Sequence, residues 1–188
     1  MVTAQGVALF IHLLGVITLF IAIGLLQRGG ARLRASSTVE EMRMWLGLVQ
    51  TTRRMFPAAL LFILLSGLYM TDRSWAFDTP WIVVAIVSVV IMGALGGGVV
   101  GRGFAAMGRA ITGTGSASPD VARSVTNPAL WIAATALNAI ALGVLWLMAI
   151  KPGWTHSIVV VVVLGVMGGV VGSALARRDG GAGESSAS

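Results

Sequence analysis

The sequence predicts an all-α fold, a polytopic membrane bundle of five transmembrane helices. Three observations carry that prediction. The 188 residues are 56% hydrophobic and only 11% charged, where a soluble domain carries about a quarter charged residues. The mean hydropathy is +0.90. Apolar runs of membrane-spanning length recur along the chain, separated by short polar stretches. With no cysteine, disulfides and thiolate metal sites are excluded. The net charge of +6 does not point to nucleic acid. The arginines stand beside apolar runs, where they anchor helices and set orientation.

The first span is residues 5–27, QGVALFIHLLGVITLFIAIGLLQ, with His12 its one titratable group. Positive charge follows this core, at Arg28, Arg32 and Arg34, and a cleavable signal peptide would have it before. Arg28-Gly29-Gly30 reads as a stop. Thr38 and Glu41 have capping-box spacing. Val39, Met42, Trp45, Leu46 and Val49 recur at helical period, so residues 38–54 form an amphipathic helix. Residues 55–71 are the second span, short at 17 residues. Pro57 either opens a new helix or kinks one long helix from Thr38 to Met70; the single kinked helix is favoured.

Pro80 starts the third span, residues 80–101. Residues 102–127 read as a loop. Its Gly113-Thr114-Gly115 lacks the Lys of a phosphate-binding loop and reads as flexible linker. Ser118-Pro119-Asp120 can cap a short surface helix. Asn127-Pro128 caps the fourth span, residues 128–150. The fifth is residues 155–176, and residues 177–188 read as a disordered cytoplasmic tail. Five spans with the N-terminus outside put eleven arginines inside: Arg28, Arg32, Arg34, Arg43, Arg53, Arg54, Arg102, Arg109, Arg123, Arg177 and Arg178. Only Arg73 and Lys151 fall outside. That bias predicts a multi-pass protein of the cytoplasmic (inner) membrane, N-terminus outside and C-terminus cytoplasmic.

Glycines recur at four-residue spacing as Gly93, Gly97 and Gly101 on span three. Span five repeats the spacing as Gly165 with Gly169 and Gly168 with Gly172. Such faces let helices approach closely in lipid. The two sets fall at matching depth and are expected to meet within one chain, so that Gly97→Leu damages the bundle more than any Val→Leu in span five. The rival reading is a homo-oligomer seam.

Polar groups within the spans are few: His12, Thr18, Ser66, Ser88, Thr135 and Asn138. Centring each span on the midplane puts His12, Ser66 and Ser88 roughly 4–6 Å to one side. Asn138 falls near the middle. These four are expected to form a polar centre around His12, although a hydroxyl in a membrane helix often bonds back to its own backbone. His12 has three readings: a neutral structural histidine, an axial heme ligand, or part of a proton or metal pathway. His156 and Met70 are weak second ligands: His156, which reads first as an interfacial residue, lies roughly 8–9 Å further out by the same rise, and Met70 and Met148 are equally far out, where methionine is more often packing than ligand. The spans contain no Asp or Glu, which disfavours a carboxylate-driven transporter. No nucleophile-and-base set or carboxylate pair is present, so the residues lean away from an enzyme.

The stretch His12-Leu13-Leu14-Gly15 resembles helix one of a group of bacterial membrane proteins. The group includes the copper-resistance D protein, the J-type protoporphyrinogen oxidase and functionally unassigned relatives. Arg53-Arg54-Met55-Phe56-Pro57, Ser66-Gly67-Leu68 and Pro80-Trp81 extend the likeness over roughly the first 100 residues. The resemblance implies a helical bundle in the cytoplasmic membrane with heme b at His12. The oxidase-type members carry a Lys and a His on helix three; residues 80–101 contain neither. The functions left open are a heme-binding or redox-associated protein and a non-enzymatic subunit or small transport or permeability factor.

Overall fold

The computed structural model describes residues 3–111 and 124–184. Five helices are long and apolar enough to cross a membrane, and the chain is a multi-pass all-α bundle. Helix α1 spans Ala4–Ala35 and α2 spans Val39–Ser74. The third rod is α3 (Pro80–Leu95), a π-helical stretch (Gly96–Gly101) and α4 (Arg102–Ala110). Helix α5 spans Pro128–Ile150 and α6 spans Trp154–Glu184. α1 packs chiefly on α2, and α5 chiefly on α6.

Side-chain caps set several boundaries. Thr3 Oγ1 accepts from Gly6 N–H, and Thr38 Oγ1 accepts from Glu41 N–H at 3.3 Å. Asn127 Oδ1 accepts from Ala129 N–H, with Pro128 at the first helical position. Each supplies a partner for an N–H that the helix leaves orphaned. The amphipathic stretch and the second span are one helix that passes through Pro57. Helix α5 ends at Lys151, whose φ of 53° is left-handed. The turn that follows, Pro152-Gly153, lets α6 fold back on α5.

Three boundaries differ from the sequence reading. Arg28-Gly29-Gly30 does not stop α1, which continues to Ala35. A Cβ on Gly29 would lie 2.6 Å from Val49 Cγ2, and one on Gly30 would strike the Trp131 ring. These glycines are where α2 and α5 press on α1, so their lack of a side chain serves packing. The expected loop after span three is helical to Ala110, and buried Phe104 and Met107 hold α4 to the bundle. Residues 177–184 continue α6 where a disordered tail is expected. Arg177 folds back on Ser173 one turn earlier. Gly113-Thr114-Gly115, Ser118-Pro119-Asp120 and residues 185–188 lie outside the described residues.

The two glycine faces do not meet. A Cβ on Gly168 would lie 2.7 Å from Thr135 O, and one on Gly172 would lie 2.7 Å from Ile132 Cα. A Cβ on Gly165 would touch Ile140 at 3.4 Å, and one on Gly169 meets only Ile132, at 3.9 Å. The α6 glycines therefore close on α5, its partner across the tight turn. On the third rod, a Cβ at Gly97 meets nothing within 4 Å, and one at Gly93 meets only Leu60, at 3.7 Å. A Cβ at Gly101 would press on Gly96 O of its own rod. The close helix contact that was to make Gly97→Leu more damaging than a Val→Leu in span five is not present. Gly172→Ala should destabilise the protein by about 1–3 kcal/mol through overpacking. Gly97→Ala should leave it unchanged or slightly stabilised by helix propensity. Thermal unfolding of the two variants in one detergent checks the order.

Candidate functional site

His12 faces the interior from the third turn of α1 and is 7% exposed. Its Nδ1 lies 3.1 Å from Ile63 O and 3.1 Å from Ser66 Oγ, both on α2. The carbonyl can only accept. The Ser66 hydroxyl donates to Phe62 O of its own helix. Two acceptors around Nδ1 assign the proton to that nitrogen. Nε2 then carries a lone pair, and it points at Met148 Sδ of α5, 3.5 Å away. A backbone carbonyl thus fixes both the tautomer and the orientation of the ring, as outer partners do for ligating histidines.

The lone pair sits on the wall of a cavity of about 430 Å³, within the roughly 300–1,000 Å³ of small-molecule sites. α1, α2, α3 and α5 enclose it. Leu9, Leu13, Val16, Leu68, Ile86 and Leu145 give it apolar walls. The mouth is polar: Gln5, Ser74, Trp75, Trp81 and Lys151. Gln5 Nε2 donates to Ser74 Oγ at 2.7 Å, linking α1 to the end of α2. The Trp75 ring meets Trp81 edge-to-face at 5.3 Å, and Lys151 Nζ lies 5.1 Å from it. Lys151 is itself the left-handed residue that ends α5. Gly67 leaves room beside the ring, since a Cβ there would sit 3.5 Å from His12 Cε1.

The expected polar centre is only partly assembled. Of Ser66, Ser88 and Asn138, Ser66 alone reaches His12. Ser88 is 2% exposed and donates to Val84 O at 2.7 Å. Thr18, Thr71 and Thr135 likewise bond to carbonyls four residues back. A hydroxyl satisfied within its own turn has no need of a neighbour. Asn138 is half-buried on α5 and lines none of the cavities found. Among the weak second ligands, Met70 lines the cavity. His156 is exposed in the first turn of α6 and does not line it. The closest soft donor is Met148, 3.5 Å from Nε2, which depth counting sets too far out. Among the described residues no group of three His, Cys, Asp or Glu side chains is placed to hold a metal ion.

The fold and this site define a class: a multi-pass helical membrane protein with one oriented histidine at the wall of an intramembrane cavity. No family model matches the chain, and neither the curated proteins nor the solved structures contain a match.

Ser66→Ala should cost less than about 1 kcal/mol. Its hydroxyl is satisfied locally, and His12 keeps the Ile63 carbonyl. His12→Ala should cost more, because it removes a buried ring and opens further space on the cavity wall. Denaturant or thermal unfolding in detergent measures both; equal losses would contradict the assigned hydrogen-bond network.

Proposed function

We propose that this is a heme-binding or redox-associated membrane protein, with His12 Nε2 as the coordinating atom. The observation that carries the reading is the unprotonated Nε2 on the wall of the cavity. Neutral imidazole is the form that binds iron. The residues present fit such a group. The walls are apolar, the histidine is oriented from behind by Ile63 O, and Lys151 and Gln5 at the mouth suit carboxylate substituents. Heme iron would supply electron transfer or ligand binding there. Nε2 and Met148 Sδ, at 3.5 Å, are too close to straddle a metal, since metal–ligand bonds of about 2.0–2.3 Å call for roughly 4 Å between them. Met148 would have to turn aside, and His12 Nε2 would hold the iron. The likeness of His12-Leu13-Leu14-Gly15 and Ser66-Gly67-Leu68 to the copper-resistance D and J-type oxidase group supports the same reading.

A second reading is a non-enzymatic membrane subunit. It is favoured by α6, which closes on α5 through one face and leaves Val162, Val166 and Val170 exposed. That face suits lipid or a helix of another subunit. The arginines at the end of the bundle opposite His12 support the cytoplasmic membrane with the N-terminus outside.

The test is the visible spectrum of the protein purified in detergent after expression with heme supplied. A Soret band with reduced α and β bands is expected. His12→Ala should abolish it with the helical content unchanged. Gly67→Leu should weaken it by filling the space beside the ring. A colourless wild-type protein would leave the subunit reading. For the topology, a reporter after Ser188 should be cytoplasmic and one in the loop at residues 75–79 external; either reversed would sink the orientation.

A further inference from the structure

We infer that the opposite end of the bundle holds a site for an anionic phospholipid, with its phosphate on Arg53 and Arg102 and one acyl chain between the helices. A second cavity, of about 380 Å³, opens there between α1, α2, the third rod and α5. Its deep walls are Ala22, Leu26, Leu60 and Leu137. Along the third rod it is lined from Gly93 to Arg102, roughly 13–14 Å of helix at 1.5 Å per residue. This is where the unmatched glycines lead. A Cβ at Gly97 meets open space, and a Cβ at Gly93 would reach only Leu60, itself a wall residue. The glycine face therefore leaves a slot between helices. The π-helical stretch lies on the same wall, and such irregular turns recur at functional sites.

The charges are placed for a phosphate. Arg53 and Arg102 both line the cavity, on α2 and at the start of α4, and both are exposed. Among the described residues neither guanidinium has an ion pair, a hydrogen bond or a ring contact. No carboxylate lines the cavity, and Gln50 adds a neutral donor. Two free guanidinium groups above an apolar slot complement a phosphodiester with a chain attached. Basic pockets between membrane helices bind anionic head groups in this manner. A soluble anion would have no use for the apolar depth. A zwitterionic lipid would bring a cation to two arginines.

Native mass spectrometry of the full chain, delipidated in detergent, tests the site. The probes are phosphatidylglycerol and phosphatidylcholine with identical acyl chains. Phosphatidylglycerol should be retained about thirtyfold better, as expected of two basic side chains near the membrane surface. Equal retention overturns the proposal and needs no variant. Arg53→Gln with Arg102→Gln should bring phosphatidylglycerol down to the phosphatidylcholine level. Gly97→Leu should lower retention of both lipids while circular dichroism and melting stay those of wild type. Unchanged retention in either variant overturns the inference. Displacement of phosphatidylglycerol by millimolar inorganic phosphate would make this a free-anion site and overturn the lipid.

Discussion

A bilayer interior offers no hydrogen-bond partner, and the hydroxyls of the apolar spans are arranged under that constraint. Thr18, Ser66, Ser88, Thr71 and Thr135 all turn their hydroxyls onto carbonyls of their own helix. His12 is too large and too rigid to do so. An imidazole on α1 has to find an acceptor on another element, and Ile63 O on α2 provides it. One nitrogen satisfied in this way leaves the other with a lone pair. The site follows from the rule that makes the rest of the interior unreactive.

The glycines show how the same residue serves opposite ends. On α6 they let the backbone close on α5, where Thr135 and Ile132 occupy the space a side chain would take. On α1, Gly29 and Gly30 admit Val49 and Trp131. Trp131 is itself pinned, with Nε1–H donating to Val125 O at 2.7 Å and Arg34 lying 4.2 Å from its ring. On the third rod, Gly93 and Gly97 face no close neighbour, and the result is a cavity. Close packing in lipid depends on what stands opposite, because dispersion contacts need a partner surface within a few tenths of an ångström.

The bundle therefore has two hollow ends of different character. One has a histidine at depth and a mouth of Gln5, Ser74, Trp75 and Lys151. The other has a glycine-lined slot and two arginines at its rim. Between them Leu19, Ile23, Ile63, Met92 and Leu137 belong to one buried apolar cluster, and a third, small cavity of about 20 Å³ lies against Leu19, Ile63 and Met92. The long α1 and α2 pair spans both ends and carries residues of each.

The all-α membrane class, the five apolar helices and the burial of His12 were legible in residue order alone. Each rests on a local property: hydropathy over some twenty residues, a cap at a fixed offset, or one costly polar group in an apolar run. The helix ends were less legible. Gly29-Gly30 has the composition of a stop, and only contact with Val49 and Trp131 reveals its use. The partners of His12 were half legible. Ser66 has suitable depth, but so do Ser88 and Asn138, and sequence offers no rotation of one helix against another. Met148 was hidden because depth along one helix does not state which side chains of another helix reach across to it. The pairing of glycine faces and the positions of both cavities were decided by tertiary structure. Helix periodicity states which residues share a face. It does not state which face a neighbouring helix will cover, because that is set by the sum of contacts across the whole bundle.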